Sequence, residues 1–183
     1  MIPSDIRPLL ASRFGETDSD RIVFVGVGNR MRGDDGLGPV LIDLLSSHLP
    51  HVIDTGVTPE EYTGVIKRLN PSLIVIVDSA DFGAEPGSVR IVEVGDISQV
   101  RISVHKISLE ILMEYLRDET GADIFLLGIQ PEDISYSATL SPVVRNAARE
   151  CCRVIFSLLP DMRTMNSKQS HTTPTVARWE PQP

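Results

Sequence analysis

The sequence predicts an α/β fold, a three-layer α/β/α sandwich around a mostly parallel, twisted sheet with one antiparallel edge strand. Three observations predict it. Arg21 to Val27 (RIVFVGV), Leu73 to Val77 (LIVIV) and Ile124 to Ile129 (IFLLGI) are short, unalternating apolar runs rich in β-branched residues, as strands covered on both faces should be. Segments with apolar residues at helical spacing stand between them. The regular succession of the two kinds calls for right-handed crossovers between parallel strands.

In chain order, Arg21 to Val27 is the first strand, and Gly28 to Leu37 a loop. A helix then starts near Gly38-Pro39, with Val40, Leu41, Leu44 and Leu45 facing the sheet. His51 to Asp54 is a second, weaker strand. Thr58-Pro59-Glu60-Glu61 opens the next helix with a capping threonine, proline at the first helical position and glutamate three after the cap. Leu73 to Val77 is the third strand. Val89 to Val94 (VRIVEV) follows the turn-like GAEPGS and is mixed in polarity, which suits an antiparallel edge strand. Leu109, Leu112, Met113 and Leu116 give a helical stripe, and Ile124 to Ile129 the last core strand. Ser141-Pro142 starts a final helix, whose Val144, Ala147, Ala148, Cys151, Ile155 and Leu158 share one face before Pro160. Residues 1–20 are expected to be an N-terminal extension, 21–160 one catalytic α/β domain, and 161–183, polar and without apolar period, a flexible tail.

The 183 residues are 42% hydrophobic and carry 17 Lys+Arg against 25 Asp+Glu, a formal charge of −8. A chain of this size can rest on an apolar core without disulfide or metal staples. The negative balance argues against a nucleic-acid partner. No apolar run approaches the roughly 20 residues needed to span a bilayer, and MIPSDIRPLL lacks the features of a secretory signal. No membrane insertion and a cytoplasmic location are therefore expected. Cys151 and Cys152 are adjacent in sequence, so they close no loop and lack zinc-site spacing; they are expected to pack on a helix.

In an open parallel sheet, ligands collect at the carboxyl ends of the strands. There the sequence places GNRMRGDDG with Asp34 and Asp35 after the first strand, Asp54 in IDTG after the second, and Asp78 and Asp81 in VDSAD after the third. His105 precedes a helix, and Gln130 ends the last core strand. Dinucleotide binding is the first chemistry to test. A GxGxxG starting at Gly26 would need glycine where Met31 stands, and no P-loop Lys-Ser/Thr follows. Two adjacent carboxylates would also repel a phosphate. A divalent cation fits better: two aspartates and an imidazole suit nickel, zinc, iron or manganese and leave positions open for substrate. Asp35, Asp78 and His105 can meet, although acids at strand ends also serve as caps and loop acceptors.

The run GVGNRMRGDDGLGP, then IDTGVTPE, IVDSADFGAEPG, His105 and LGIQP, in order between about Ile22 and Leu159, resembles the hydrogenase maturation endopeptidases. The resemblance implies a phosphorylase/hydrolase-like version of the sandwich. It implies an endopeptidase, sometimes grouped as aspartic-type, that removes the C-terminal extension of a [NiFe]-hydrogenase large-subunit precursor. IDTGVTPE and LGIQP look most like the branch serving multisubunit, membrane-bound or cofactor-reducing hydrogenases. Nickel carried by the substrate is the implied metal, for which zinc or cadmium can substitute, and the family's contacts fall on Asp35, Asp78 and His105. Asp54 matches a further acidic position, so Asp35 and Asp54 are the candidate catalytic carboxylates, and Gly28, Asn29 and Gln130 the candidate substrate contacts. Lys106 departs from the small or amide residue expected after the histidine. Asp34 and Asp81 are expected to order loops, and His48, His51 and His171 to be ordinary loop histidines. Metal-assisted hydrolysis ranks ahead of a carboxylate base. Arg30 and Arg32 are either solvated or contact the precursor's tail. The competing reading is a nickel-sensing assembly checkpoint that does not cut.

Overall fold

The computed structural model describes residues 6–15, 17–99, 101–102 and 106–159, and their side chains outside 98–108. In chain order the elements are α1 (Ile6–Gly15), β1 (Ile22–Val27), α2 (Leu37–Leu45), β2 (Val52–Gly56), α3 (Thr63–Arg68), β3 (Leu73–Asp81), β4 (Val89–Glu93), β5 (Arg101–Ile102), α4 (Lys106–Thr120), β6 (Asp123–Ile129) and α5 (Pro142–Leu158).

The sheet order is β2-β1-β3-β6-β4. β1 pairs parallel with β2 and β3, and β3 with β6, while β4 runs antiparallel to β6 as the edge strand. Strand alternation divides the core into two layers. Phe24, Val75, Val77, Phe125 and Leu127 point toward α1, α2 and α5; Val23, Val25, Ile74, Ile76 and Leu126 point toward α3 and α4. β1, β6 and the first five residues of β3 are almost wholly apolar because they are covered on both faces.

The third strand runs to Asp81, four residues past the predicted end, and β5 pairs antiparallel with that extension through Ala80–Ile102 and Asp81–Arg101. Backbone pairing, not apolar pattern, extends it, so the polar sequence DSAD hid it. Helix α1 lies in the segment read as an extension. Its Ile6, Leu10 and Phe14 are buried because they fall on one helical face, spaced by four. Ser141 caps α5 as expected, accepting from the Val144 N–H at 3.4 Å. The Thr58 side chain makes no cap bond: Pro59–Tyr62 forms a 3₁₀ turn, and only the Thr58 carbonyl accepts, from Glu61 N. In α2 the buried face is Leu37, Leu41, Ile42 and Leu45, whereas Leu44 is exposed, one residue off the predicted stripe. Cys151 and Cys152 are buried on α5.

Two features draw the loop before α2 over the strand ends. A β-carbon on Gly38 would stand 2.2 Å from the Val27 carbonyl oxygen, and one on Gly26 would stand 2.6 Å from the Gly38 carbonyl oxygen. Only glycines permit so close an approach of helix to strand. The sheet order also leaves a crevice between the carboxyl ends of β1 and β3, since β1 connects to β2 on one side while β3 lies on the other.

Candidate active site

The loop from Gly28 to Gly36 is built from its own polar groups. Gly28 has φ +138° and donates its N–H to the Gly56 carbonyl at 2.8 Å. A β-carbon there would lie 1.9 Å from the Asp35 carbonyl oxygen and 3.6 Å from Oδ1 of Asp78. Glycine therefore both permits the turn and leaves the approach to Asp78 open. The Asn29 N–H donates to the Asp35 carbonyl and to Asp35 Oδ2 at 3.1 and 3.3 Å, while Asn29 Oδ1 accepts from Met31 N at 2.9 Å.

Asp34 holds this loop to the far side of the crevice. It is fully buried. Oδ2 accepts from Glu132 N, Asp133 N and the Ser141 hydroxyl, and Oδ1 accepts from Ser141 N, at 2.7–3.1 Å. Four donors satisfy a charge that burial would otherwise penalise. The loop-ordering role expected of Asp34 is what the geometry shows, and Ser141 is a partner that sequence reading did not find, being 107 residues away.

Its neighbour Asp35 faces the crevice and is also fully buried, as is Asp78. Asp78 Oδ1 accepts from the Ser79 N–H at 2.7 Å, whereas Oδ2 has no hydrogen-bond partner among the described residues. Burial, and then the nearby charge of Asp35, push the Asp78 carboxyl well above its ordinary pKa, against the Ser79 bond. A buried oxygen without a hydrogen-bond partner beside a second carboxylate makes two negative charges at this position costly. Among the described residues no group of three metal-ligating side chains forms. His105 lies outside the described residues; α4, which begins at Lys106, packs on the face toward which Asp78 points by strand alternation.

Asp54 is not brought to this pair. It stands in register with Gly26 and Val77, so its side chain points to the α2 face while Asp78, one residue beyond Val77, points to the α4 face. The two are also separated by β1. Asp54 Oδ2 accepts from Arg30 Nη2 at 2.7 Å and Oδ1 from Gly56 N at 3.0 Å. Asp54, expected as a candidate catalytic carboxylate, is engaged in an ion pair with Arg30. Gln130 is likewise engaged: Oε1 accepts from Phe82 N and Ala84 N, and Nε2 donates to Asp81 Oδ1 at 3.1 Å. Asp81 also accepts from Gly83 N, so both residues order the turn after β3. His48 stacks on Phe156 with ring centroids 4.2 Å apart, a packing role far from the crevice. A nucleotide phosphate is not accommodated, because buried Asp34 and Asp35 stand where it would meet the N-terminus of α2.

Comparison with known proteins places this geometry. The HycI hydrogenase maturation protease family model matches residues 46–158. The hydrogenase 3 maturation protease of Escherichia coli K12 is 35% identical over 129 residues, covering 68% of this chain and 82% of that protein. The crystal structure of a [NiFe] hydrogenase maturation protease, HycI from Thermococcus kodakarensis KOD1, superposes with a TM-score of 0.73 at 31% identity, covering 82% of this chain and 98% of that one. The solution structure of the E. coli endopeptidase HycI gives 0.65 at 31% identity, over 72% of this chain and 86% of that one. No helix among the described residues is long and apolar enough to cross a membrane. With its buried aspartate pair at the β1–β3 crevice of this sandwich, the chain belongs to the hydrogenase maturation protease family and is a peptidase.

Proposed function

We propose that the chain removes the C-terminal extension of a [NiFe]-hydrogenase large-subunit precursor, and that it recognises the precursor through nickel which the precursor already carries. The observation that carries this reading is Asp78, fully buried, with Oδ2 unpartnered among the described residues and Asp35 close enough to raise its pKa. A buried carboxylate in that state is costly unless a proton or a cation relieves it. Nickel borne by the substrate is the cation that would do so, with His105 as the third contact implied by the family resemblance.

The chain's own residues account for selectivity in this scheme. Burial and the neighbouring Asp35 favour the protonated form of Asp78 in the free protein, and docking of loaded precursor would release that proton to the solvent as the metal takes its place. Empty precursor brings no cation to Asp78 Oδ2, so the binding energy of metal coordination is realised only with the loaded form. Asp34 fixes the loop that aims Asp35, and the absence of a side chain at Gly28 leaves room for the incoming segment. When bound, nickel supplies Lewis-acid polarisation of the scissile carbonyl or acidification of a water. Asp35 stands beside Asp78 to accept the proton of the attacking water.

The test is mass spectrometry of the precursor, prepared with and without nickel, after incubation with pure protein. Loss of the C-terminal extension from the loaded form alone is expected, and Asp35→Asn, Asp78→Asn and His105→Ala should each abolish it. Equal cleavage of both forms would overturn nickel recognition, and an unchanged mass would overturn the proposed substrate.

A further inference from the structure

Eight large apolar side chains are exposed among the described residues. Leu9, Leu44, Ile111, Tyr115 and Val143 lie on helices, and the remaining three, Met31, Val57 and Tyr136, all lie on loops at the carboxyl end of the sheet. They are 45%, 43% and 80% exposed. These loops are tied to one another by backbone bonds. Ser137 N donates to the Met31 carbonyl at 3.0 Å and Gly33 N to the Ser137 carbonyl at 2.8 Å, with Arg32 and Ser137 forming a parallel bridge. Gly28 N reaches the Gly56 carbonyl, one residue before Val57.

The four bonds of Asp34 lock the first of these loops to the third. Met31 and Tyr136 are therefore held outward by a fixed backbone and cannot be covered by a small loop movement. Arg32, exposed and next to Met31 in sequence, has no side-chain hydrogen bond or ion pair among the described residues. Aromatic, methionine and arginine side chains on a preorganised frame are the residue types that carry binding energy at protein interfaces.

We propose that Met31, Val57, Tyr136 and Arg32 are the surface on which the precursor docks the polypeptide flanking its cleavage site, and that this surface sets which precursor is processed. The inference rests on the reading that the precursor is cut at Asp35 and Asp78. These loops border the approach to that buried pair, because they leave β1, β2 and β6 at the carboxyl end of the sheet. The partner chemistry follows from the surface: an apolar segment packs against Met31, Val57 and Tyr136, and a carboxylate on it pairs with Arg32. A frame already ordered loses little conformational freedom on binding.

The experiment measures kcat and KM for nickel-loaded precursor with Tyr136→Ser, Met31→Ser, Arg32→Glu and the helix control Ile111→Ser, alongside Asp35→Asn. Thermal melts confirm that each variant folds. Tyr136→Ser and Met31→Ser should each raise KM roughly tenfold with turnover at saturation nearly preserved, as loss of an interface anchor does. Arg32→Glu should raise KM and blunt its increase with salt, while Ile111→Ser should match the unaltered protein. Unchanged KM in the Tyr136, Met31 and Arg32 variants, with activity lost in Asp35→Asn, overturns the docking surface and leaves the proposed site standing. Full activity in Asp35→Asn overturns the site itself. Sedimentation in which Tyr136→Ser abolishes self-association without moving KM overturns the proposal in favour of a second copy of the chain as occupant.

Discussion

Arg30 Nη2 lies 2.7 Å from Oδ2 of Asp54, and the same guanidinium binds both carboxylate oxygens of Asp43, at 2.7 and 3.1 Å, and the Pro39 carbonyl at 3.1 Å. The bonds to Asp43, and then to Asp54, raise the Arg30 pKa despite partial burial. One side chain thus clamps the loop after β1 to both α2 and the end of β2. Through the Asn29 N–H that precedes it, the clamp bears on Asp35.

If Asp54 acts through Arg30, the two substitutions are not additive. Asp54→Ala and Arg30→Ala should each lower kcat/KM by about tenfold or less, and the double variant should be no worse than Arg30→Ala. A general base at Asp54 would show instead as a further loss of about 10²–10⁴-fold in the double variant. Steady-state cleavage kinetics across the cycle decide between them.

Asp78→Asn should abolish cleavage while raising the melting temperature of the metal-free protein. The native carboxyl has its pKa raised, by burial and then by Asp35, so the folded state binds the proton more tightly than the unfolded chain does. Stability from this group is therefore lost as pH rises from the ordinary value of 3.8 to the folded-state pKa, and stays lost above it. The asparagine variant lacks that slope. Melting curves of metal-free native protein and variant, recorded from pH 5 to 8, test it: the gap should widen with pH until Asp78 is ionised in the native protein.

Replacing Asp34 by alanine removes four hydrogen bonds from a buried position. Three backbone donors and the Ser141 hydroxyl are then stranded. A loss of about 3 kcal/mol is expected, read from urea denaturation, together with weakened cleavage because Asp35 loses its fixed neighbour. Asp34→Asn, which keeps an acceptor, should retain part of both.

The thiols should be inert in the native protein. Burial, and for Cys151 also its neighbour, pushes both pKa values up to about 12, and thiolate is the reactive form. Iodoacetamide at pH 8 should leave Cys151 and Cys152 unlabelled until the protein is denatured. Rapid native labelling would show that α5 opens from the sheet.

Much of this protein is legible in one dimension. Unalternating apolar runs such as LIVIV specify strands buried on both faces, and the order of strands and helices then leaves few topologies. The same order puts Asp35 and Asp78 at neighbouring strand ends, because parallel strands all present their carboxyl ends to one crevice. Helix α1 was hidden by its weak contrast: Ile6, Leu10 and Phe14 are spaced by four, but Leu9 is exposed and Arg7 and Arg13 interrupt.

Division of labour among the acids was decided only in three dimensions. Asp34 and Asp35 are adjacent and chemically identical, yet one faces Glu132, Asp133 and Ser141 and the other faces Asp78, because the 3₁₀ turn Gly33–Gly36 sends successive side chains to different walls of the crevice. Asp54 and Asp78 both stand in the carboxyl-terminal halves of their strands, but strand parity sends them to opposite faces, and Arg30 takes the first. Residue type states what chemistry a side chain can do. Burial, parity and the partners brought from 13 to 107 residues away determine which one keeps a buried oxygen without a hydrogen-bond partner among the described residues.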